Sequence, residues 1–220
     1  MITQLFTRLI PGRVRGLVPD PGITPRLLAV ASLSAMSACA APYDPLDEYE
    51  QLTPATQLEA PPARATAAFS EQQVSRGQYL VGLLGCGSCH TNGALVGSPV
   101  MSQLLAGSDT GIAWTNPMAE RNPGIVYPAN LTPDVETGIG TWSVDEIVAM
   151  IRSGVDRHAG QTLPVMPWPA YAQLHEEDAV AVAAYLLSLP PVRHRVPDNV
   201  QPGQRATSPF IHFGVYQSRQ

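Results

Sequence analysis

The sequence predicts a mainly α domain in which a few short helices and long loops wrap a bound group. Three observations predict it. Two stretches, beginning at Ser70 and Ser143, carry a Gln or Glu three residues on (Gln73 and Glu146), the spacing at which both ends of a capping box meet. A third stretch, about 176–188, sets Val180, Ala183, Ala184 and Leu187 at helical spacing and is stopped by Pro190 and Pro191. Between His90 and Ser143, by contrast, the chain is rich in Gly, Pro and Asn. A loop that long inside a small domain implies that it wraps something.

At the N-terminus, Arg8, Arg13, Arg15 and Arg26 precede an apolar stretch, residues 27–38. It is shorter than the roughly 20 residues that cross a bilayer and suits the core of a signal peptide. It ends in Met36-Ser37-Ala38-Cys39, which resembles a bacterial lipoprotein box with Cys39 as the lipidated residue; the alternative is an ordinary signal peptide cut nearby. Either way the expected location is the bacterial periplasm, with a lipid anchor to a membrane in the first case. Residues 1–39 are therefore read as a signal peptide of lipoprotein type. Residues 40–66 lack apolar periodicity, are rich in Pro and Ala, and carry Asp44, Asp47, Glu48, Glu50 and Glu59 against Arg64, the composition of a disordered tether.

The folded domain is expected over 67–195. Its first helix starts after Ser70 and runs to about Leu84, with Val74, Leu80 and Leu83 among its apolar positions. Directly behind it stands Cys86-Gly87-Ser88-Cys89-His90, the C-x-x-C-H pattern of covalent c-type haem attachment. Two thiols at this spacing can each add to one haem vinyl group, and the following His90 offers a nitrogen to the iron. The implied cofactor is one haem c per chain. Three other chemistries compete. A dithiol redox pair needs no following His and sits in a βαβ pattern. Zinc needs further Cys or His at ligand spacing, and the third Cys of the chain is Cys39. A disulfide across two residues would constrain almost nothing.

Further along, residues 124–128 (GIVYP) suit a short strand, and a helix is expected from Val144 to about Arg152, with Gly154 as its C-terminal stop. The final helix has Glu176, Glu177 and Asp178 in its first turn, where the helix dipole favours negative charge, but His175 in place of a Ser or Thr cap. Residues 196–220 form a polar, Pro-bearing tail in which Ile211, Phe213 and Val215 alternate, the pattern of one strand face docked on the domain, with a frayed end as the equal alternative.

Several separated segments together resemble one family. RGQYLVGLLGCGSCHTNG (76–93), NLTPDVETGIGTWSVDEIVAMIRSGV (130–155), LPVMPWPAY (163–171) and EEDAVAVAAYLLSLPPV (176–192) are similar to class I c-type cytochromes, in particular the modules in cytochrome subunits of periplasmic alcohol, aldehyde and sugar-acid dehydrogenases. The resemblance implies the class I cytochrome c fold, with the first and last helices crossing beside the haem, Gly77 allowing their close approach and Tyr185 touching the haem. It also implies that Met166, between Pro164 and Pro167, is the second axial ligand beside His90. The residues alone leave core packing open for Met166, and His158, His175, His194 and His212 as alternative ligands. Asn130, Trp142 and Arg152 carry donors suited to haem propionates; turn, core and surface are their ordinary roles. Trp168 is expected in the wall of the pocket.

The implied function is electron transfer by a single-haem carrier, not catalysis, between a periplasmic dehydrogenase as donor and an oxidase or other cytochrome as acceptor in a respiratory chain. Two rivals are a peroxidase-like haem enzyme with an open distal site and a haem-based sensor or binding module. All 13 basic residues are Arg, against 18 acidic residues. With four Arg and Asp20 in the first 39 residues, the remainder carries a net charge of −8 with His neutral. No basic run points to nucleic acid, and partners should present basic or apolar docking surfaces.

Overall fold

The computed structural model divides the chain into two units, Met1–Tyr43 and Asp44–Gln220. The structure describes residues 44, 58–62, 64–156, 161–162 and 164–213, all in the second unit. Cys39 and the leader lie outside the described residues, as does most of 40–66.

Helix α1, Glu71–Leu83, starts where the sequence places it. The Ser70 hydroxyl accepts from the Gln73 backbone N–H while the Gln73 side chain accepts from Ser70 N, closing the capping box. Gly85, at φ +70°, turns the chain into α2, Cys86–His90. Helix α3, Val144–Ser153, has the second capping box, Ser143 with Glu146, and ends on Gly154 in the left-handed conformation (φ +67°). A single turn, α4, Trp168–Tyr171, precedes α5, Glu176–Ser188. His175 occupies the N-cap of α5 without a side-chain cap; the acidic first turn stands in for it electrostatically.

Helices α1 and α5 cross face to face, and α5 also lies against α3. Small residues make this possible: Ala179, Ala181, Ala183 and Ala184 of α5 are buried, and Val74, Leu80 and Val81 of α1, Ile147, Val148, Met150 and Ile151 of α3, and Tyr185 complete the apolar core. Burying these side chains is the main favourable contribution to the fold.

The loop between α2 and α3 is anchored by a small sheet. Strands β1 (Gly111–Ala113) and β2 (Ile125–Val126) pair antiparallel, so the GIVYP segment does contain a strand. A short hairpin of β3 (Val155–Asp156) and β4 (Gln161–Thr162) follows α3. The last strand, β5 (Phe210–Ile211), adds parallel to β1. Among the described residues, no helix is long and apolar enough to cross a membrane.

Two expectations are corrected. The alternating face of the tail does not persist: Ile211 is buried on β1, but Phe213 is 70% exposed, and Val215 lies outside the described residues. The tail is also bound along its length before β5. Val200 and Ile125 exchange both backbone hydrogen bonds at 2.8 Å, Gly203 N donates to Asn122 O at 2.8 Å, and Tyr127 N donates to Asn199 Oδ1 at 2.8 Å. These backbone bonds carry no hydrophobic signature, so the sequence pattern missed them. At the other end, the tether expected over 40–66 does not hold to its last residues. Gln78 Nε2 donates to Ala60 O at 3.3 Å and Pro61 O at 2.8 Å, Tyr185 Oη donates to Pro61 O at 2.8 Å, and Ala60 packs against the core. Composition hides this docking because, on the side of the 58–62 segment, its hydrogen bonds are made by the backbone carbonyls of Ala60 and Pro61.

Candidate functional site

Cys86 and Cys89 sit on the single turn α2, and neither forms a disulfide. Burial pushes the Cys86 thiol up to about 11 and raises Cys89 as well. Both sulfurs are therefore protonated at neutral pH. That argues against a low-pKa redox dithiol, whose thiolate is its working form. Among the described residues, no group of three or more His, Cys, Asp or Glu gathers as a metal cluster.

The imidazole of His90 is held from behind. Its Nδ1 lies 2.7 Å from the carbonyl oxygen of Ala129. A carbonyl only accepts, so Nδ1 carries the proton and Nε2 keeps its lone pair, the tautomer a metal ligand needs. Burial lowers the His90 pKa, against a smaller raising effect of the Ala129 bond, so the neutral ring is favoured. Ala129 is backbone chemistry just before the NLTPD stretch, and sequence reading had no side chain by which to find it.

Two tyrosines close the region behind α2. Tyr171 Oη donates to Leu84 O at 3.1 Å, one residue past the end of α1. Tyr185, fully buried, is tied to Pro61. Burial and the neighbouring Cys86 push the Tyr171 hydroxyl up to about 12 and raise Tyr185 further, so both stay neutral donors.

Met166 is half-buried and packs against the same apolar cluster as Cys86. Its segment is pinned at both ends of α4. Trp168 lies over Gly154, where an added Cβ would come 2.2 Å from the indole Cδ1. Tyr171 holds the other end to Leu84. Trp168 thus braces α4 on the end of α3, and Trp142 packs half-buried on the core.

Asn130 and Arg152 point to other work than a propionate. The Asn130 side chain is 2% exposed; its Nδ2 donates to Val192 O at 2.8 Å and Thr137 Oγ1 at 3.1 Å, and its Oδ1 accepts from Thr132 N and Oγ1. Both amide protons are engaged inside the protein. Arg152 Nη1 pairs with Glu176 across α3 and α5, on the surface. Of the alternative histidines, His194 has both ring nitrogens engaged, Nδ1 at 2.8 Å from Ala106 O and Nε2 at 3.1 Å from Asp109 Oδ1. His175 is exposed at the N-cap of α5, His212 is half-buried beside β5, and His158 lies outside the described residues.

The residues at α2 suit a haem c: two neutral thiols on one helical turn and an adjacent neutral imidazole with Nε2 uncommitted. Comparison with known proteins points the same way. The fructose dehydrogenase cytochrome subunit of Gluconobacter japonicus is 34% identical over 134 residues, 60% of this chain and 25% of the relative. The gluconate 2-dehydrogenase cytochrome c subunit of Pantoea cypripedii is 34% identical over 126 residues, 55% of this chain and 25% of the relative. Both relatives are named as cytochrome subunits of dehydrogenases. The quinone-type alcohol dehydrogenase cytochrome c subunit of Gluconobacter oxydans is 32% identical over 117 residues, 53% of this chain and 21% of that subunit. The chain spans a quarter or less of the length of these three cytochrome subunits. A protein named as a dihaem cytochrome c-type, from Cereibacter sphaeroides, is 27% identical over 119 residues, whereas this sequence has a single C-x-x-C-H. No family model matches the chain.

Proposed function

We propose that this chain is an exported, single-haem c-type cytochrome of the class I fold that passes electrons from a periplasmic dehydrogenase to an oxidase or another cytochrome. The observation that carries the reading is the His90 Nδ1–H donated to Ala129 O at 2.7 Å, one residue from a pair of neutral, unpaired thiols. Cys86 and Cys89 would hold the haem through thioethers, and His90 and Met166 would be its axial ligands. The haem, once bound, supplies an iron that cycles between ferric and ferrous.

The protein's own part is to hold that centre still and dry. Ala129 fixes the His90 tautomer. Trp168 and Tyr171 anchor the helical turn that directly follows Met166, so a soft thioether can stay in place. The buried tyrosines and the α1–α5 core exclude water from the side of Cys86. With His90 and Met166 both holding the iron, little room would be left for a substrate, which favours a carrier over a peroxidase-like enzyme or a sensor. The acidic net charge favours partners with basic or apolar docking surfaces. Lipidation of Cys39 would tether the domain to a membrane.

The deciding experiment expresses the full chain with a c-type maturation system and extracts it with acid–acetone. Haem that stays with the polypeptide in wild type, and is lost in Cys86→Ala with Cys89→Ala, supports the reading. Haem that is extracted freely sinks it. High-spin wild-type iron that binds carbon monoxide and turns over peroxide would replace the carrier with an enzyme. Mass spectrometry of the mature N-terminus tests Cys39: a diacylated or triacylated Cys39 supports the tether, and a start elsewhere leaves a soluble carrier.

A further inference from the structure

Three stretches meet behind the His90 ring. His90 O accepts from Gly107 N at 2.9 Å, and Thr91 Oγ1 accepts from Leu105 N at 3.2 Å. Leu105 O accepts from Leu131 N at 2.8 Å, and Pro128 O accepts from Ser108 N at 3.0 Å. The carbonyl of Ala129 is thus carried by a short backbone arch, Pro128 to Leu131, sewn on one side to the 105–108 loop. The other side of that arch is held by the Asn130 side chain together with the Thr132 hydroxyl. Asn130, 2% exposed, sends Nδ2 to Val192 O (2.8 Å) and Thr137 Oγ1 (3.1 Å). Its Oδ1 receives Thr132 N (2.9 Å) and Thr132 Oγ1 (2.8 Å). Thr132 Oγ1 in turn accepts from Val192 N at 3.0 Å.

We propose that Asn130 is a positioning residue for the proximal imidazole: its amide locks the arch on the strap after α5 and so aims Ala129 O at His90 Nδ1. This rests on His90 being an axial ligand, as proposed above. A donor–acceptor distance of 2.7 Å marks a short, strong bond. Such a bond at the remote nitrogen makes the imidazole more basic and a better partner for ferric iron. Loosening the arch weakens that bond, makes His90 a poorer donor and raises the midpoint potential. The sign separates this role from the alternatives. Loss of a propionate contact would leave a carboxylate less compensated and lower the potential. Water entering a loosened loop would also favour the ferric form and lower it.

The test measures the midpoint potential and thermal melt of the haem-loaded full chain as wild type, Asn130→Ala and Thr132→Val. In the diamagnetic ferrous state, NMR adds the solvent-exchange rate of the His90 Nδ1 proton. The expected result is a higher potential and faster Nδ1–H exchange in Asn130→Ala, with a smaller change of the same sign in Thr132→Val. Thr132→Val keeps shape and removes the hydroxyl that donates to Asn130 Oδ1 and accepts from Val192 N, the same arch-to-strap link, so it decides the matter if Asn130→Ala does not fold. An unchanged or lowered potential in a folded, haem-loaded variant overturns the proposal and leaves the function intact. Absence of covalent haem from wild type overturns both.

Discussion

Gly77 of α1 lies so close to Ala181 of α5 that a β-carbon on it would stand 2.0 Å from the Ala181 carbonyl oxygen and 2.6 Å from Tyr185 Cβ. Backbone is touching backbone at this crossing, and none of the nearest atoms is the far end of a flexible side chain. Gly77→Ala therefore forces the helices apart. Overpacking of this kind costs about 1–3 kcal/mol, more than the roughly 1 kcal/mol by which Ala outranks Gly in helix propensity. The expected outcome is a lower melting temperature in calorimetry. An equal or higher one would mean the helices part without cost.

Tyr185 gives a second, smaller effect. Its hydroxyl donates to Pro61 O at 2.8 Å, and Gln78 reaches the same carbonyl. Tyr185→Phe keeps the ring in the core and removes one donor, while Gln78 still satisfies Pro61. The loss should be about 0.5–1.5 kcal/mol, the net worth of an ordinary hydrogen bond. Hydrogen exchange and proteolysis should quicken at residues 58–62 before the core is affected. Uniform destabilisation with no change there would mean that Pro61 is held without the tyrosine.

These two sites also show what the sequence could and could not tell. The two Ser-led capping boxes and the span of α5 were legible, because each rests on local chemistry or helical period. The crossing partner of Gly77 was named through family resemblance, not by spacing. The docking of Ala60 and Pro61, the Ala129 contact to His90 and the pairing of Val200 with Ile125 were not legible. Each is made through backbone atoms, which every residue type carries alike. Asn130 carries the two-donor amide on which the propionate expectation rests, but its donors serve Val192 and Thr137.

Acid should loosen the α1–α5 pair. Arg76 Nε donates to Asp178 Oδ1 at 2.8 Å, and that hydrogen bond, with the guanidinium charge, holds the Asp178 carboxyl below its ordinary range. Asp134 is held down chiefly by the Thr137 hydroxyl. A carboxyl depressed in the folded state contributes stability above its unfolded value, about 3.9. That contribution is lost as pH falls through the folded value. Melting temperatures of wild type and Asp178→Asn should therefore differ at neutral pH and converge below about pH 4. Because Arg76 is exposed, the gap should be small. A gap that widens on acidification would reverse the sign assigned to this pair.

Met166 separates a carrier from an enzyme. Its segment is braced by Trp168 over Gly154 and by Tyr171 on Leu84, and it packs on the cluster that Cys86 also touches. A side chain needed only to fill that cluster could be replaced by Leu at small cost, since volume-conserving swaps usually cost less than about 1.5 kcal/mol. A ligand could not. Met166→Leu is therefore the informative variant, because it keeps the packing and removes the sulfur. Thioether ligation predicts low-spin wild-type iron with a weak far-red absorption band in the oxidised form. Met166→Leu should then lose that band, bind carbon monoxide and show a lower potential, with a melting temperature of the apoprotein near wild type. Met166→His should restore low-spin iron at a potential below wild type, since imidazole stabilises the ferric state more than a thioether does. If Met166→Leu leaves the spectrum unchanged, the sulfur only packs, and His158→Ala becomes the variant to measure.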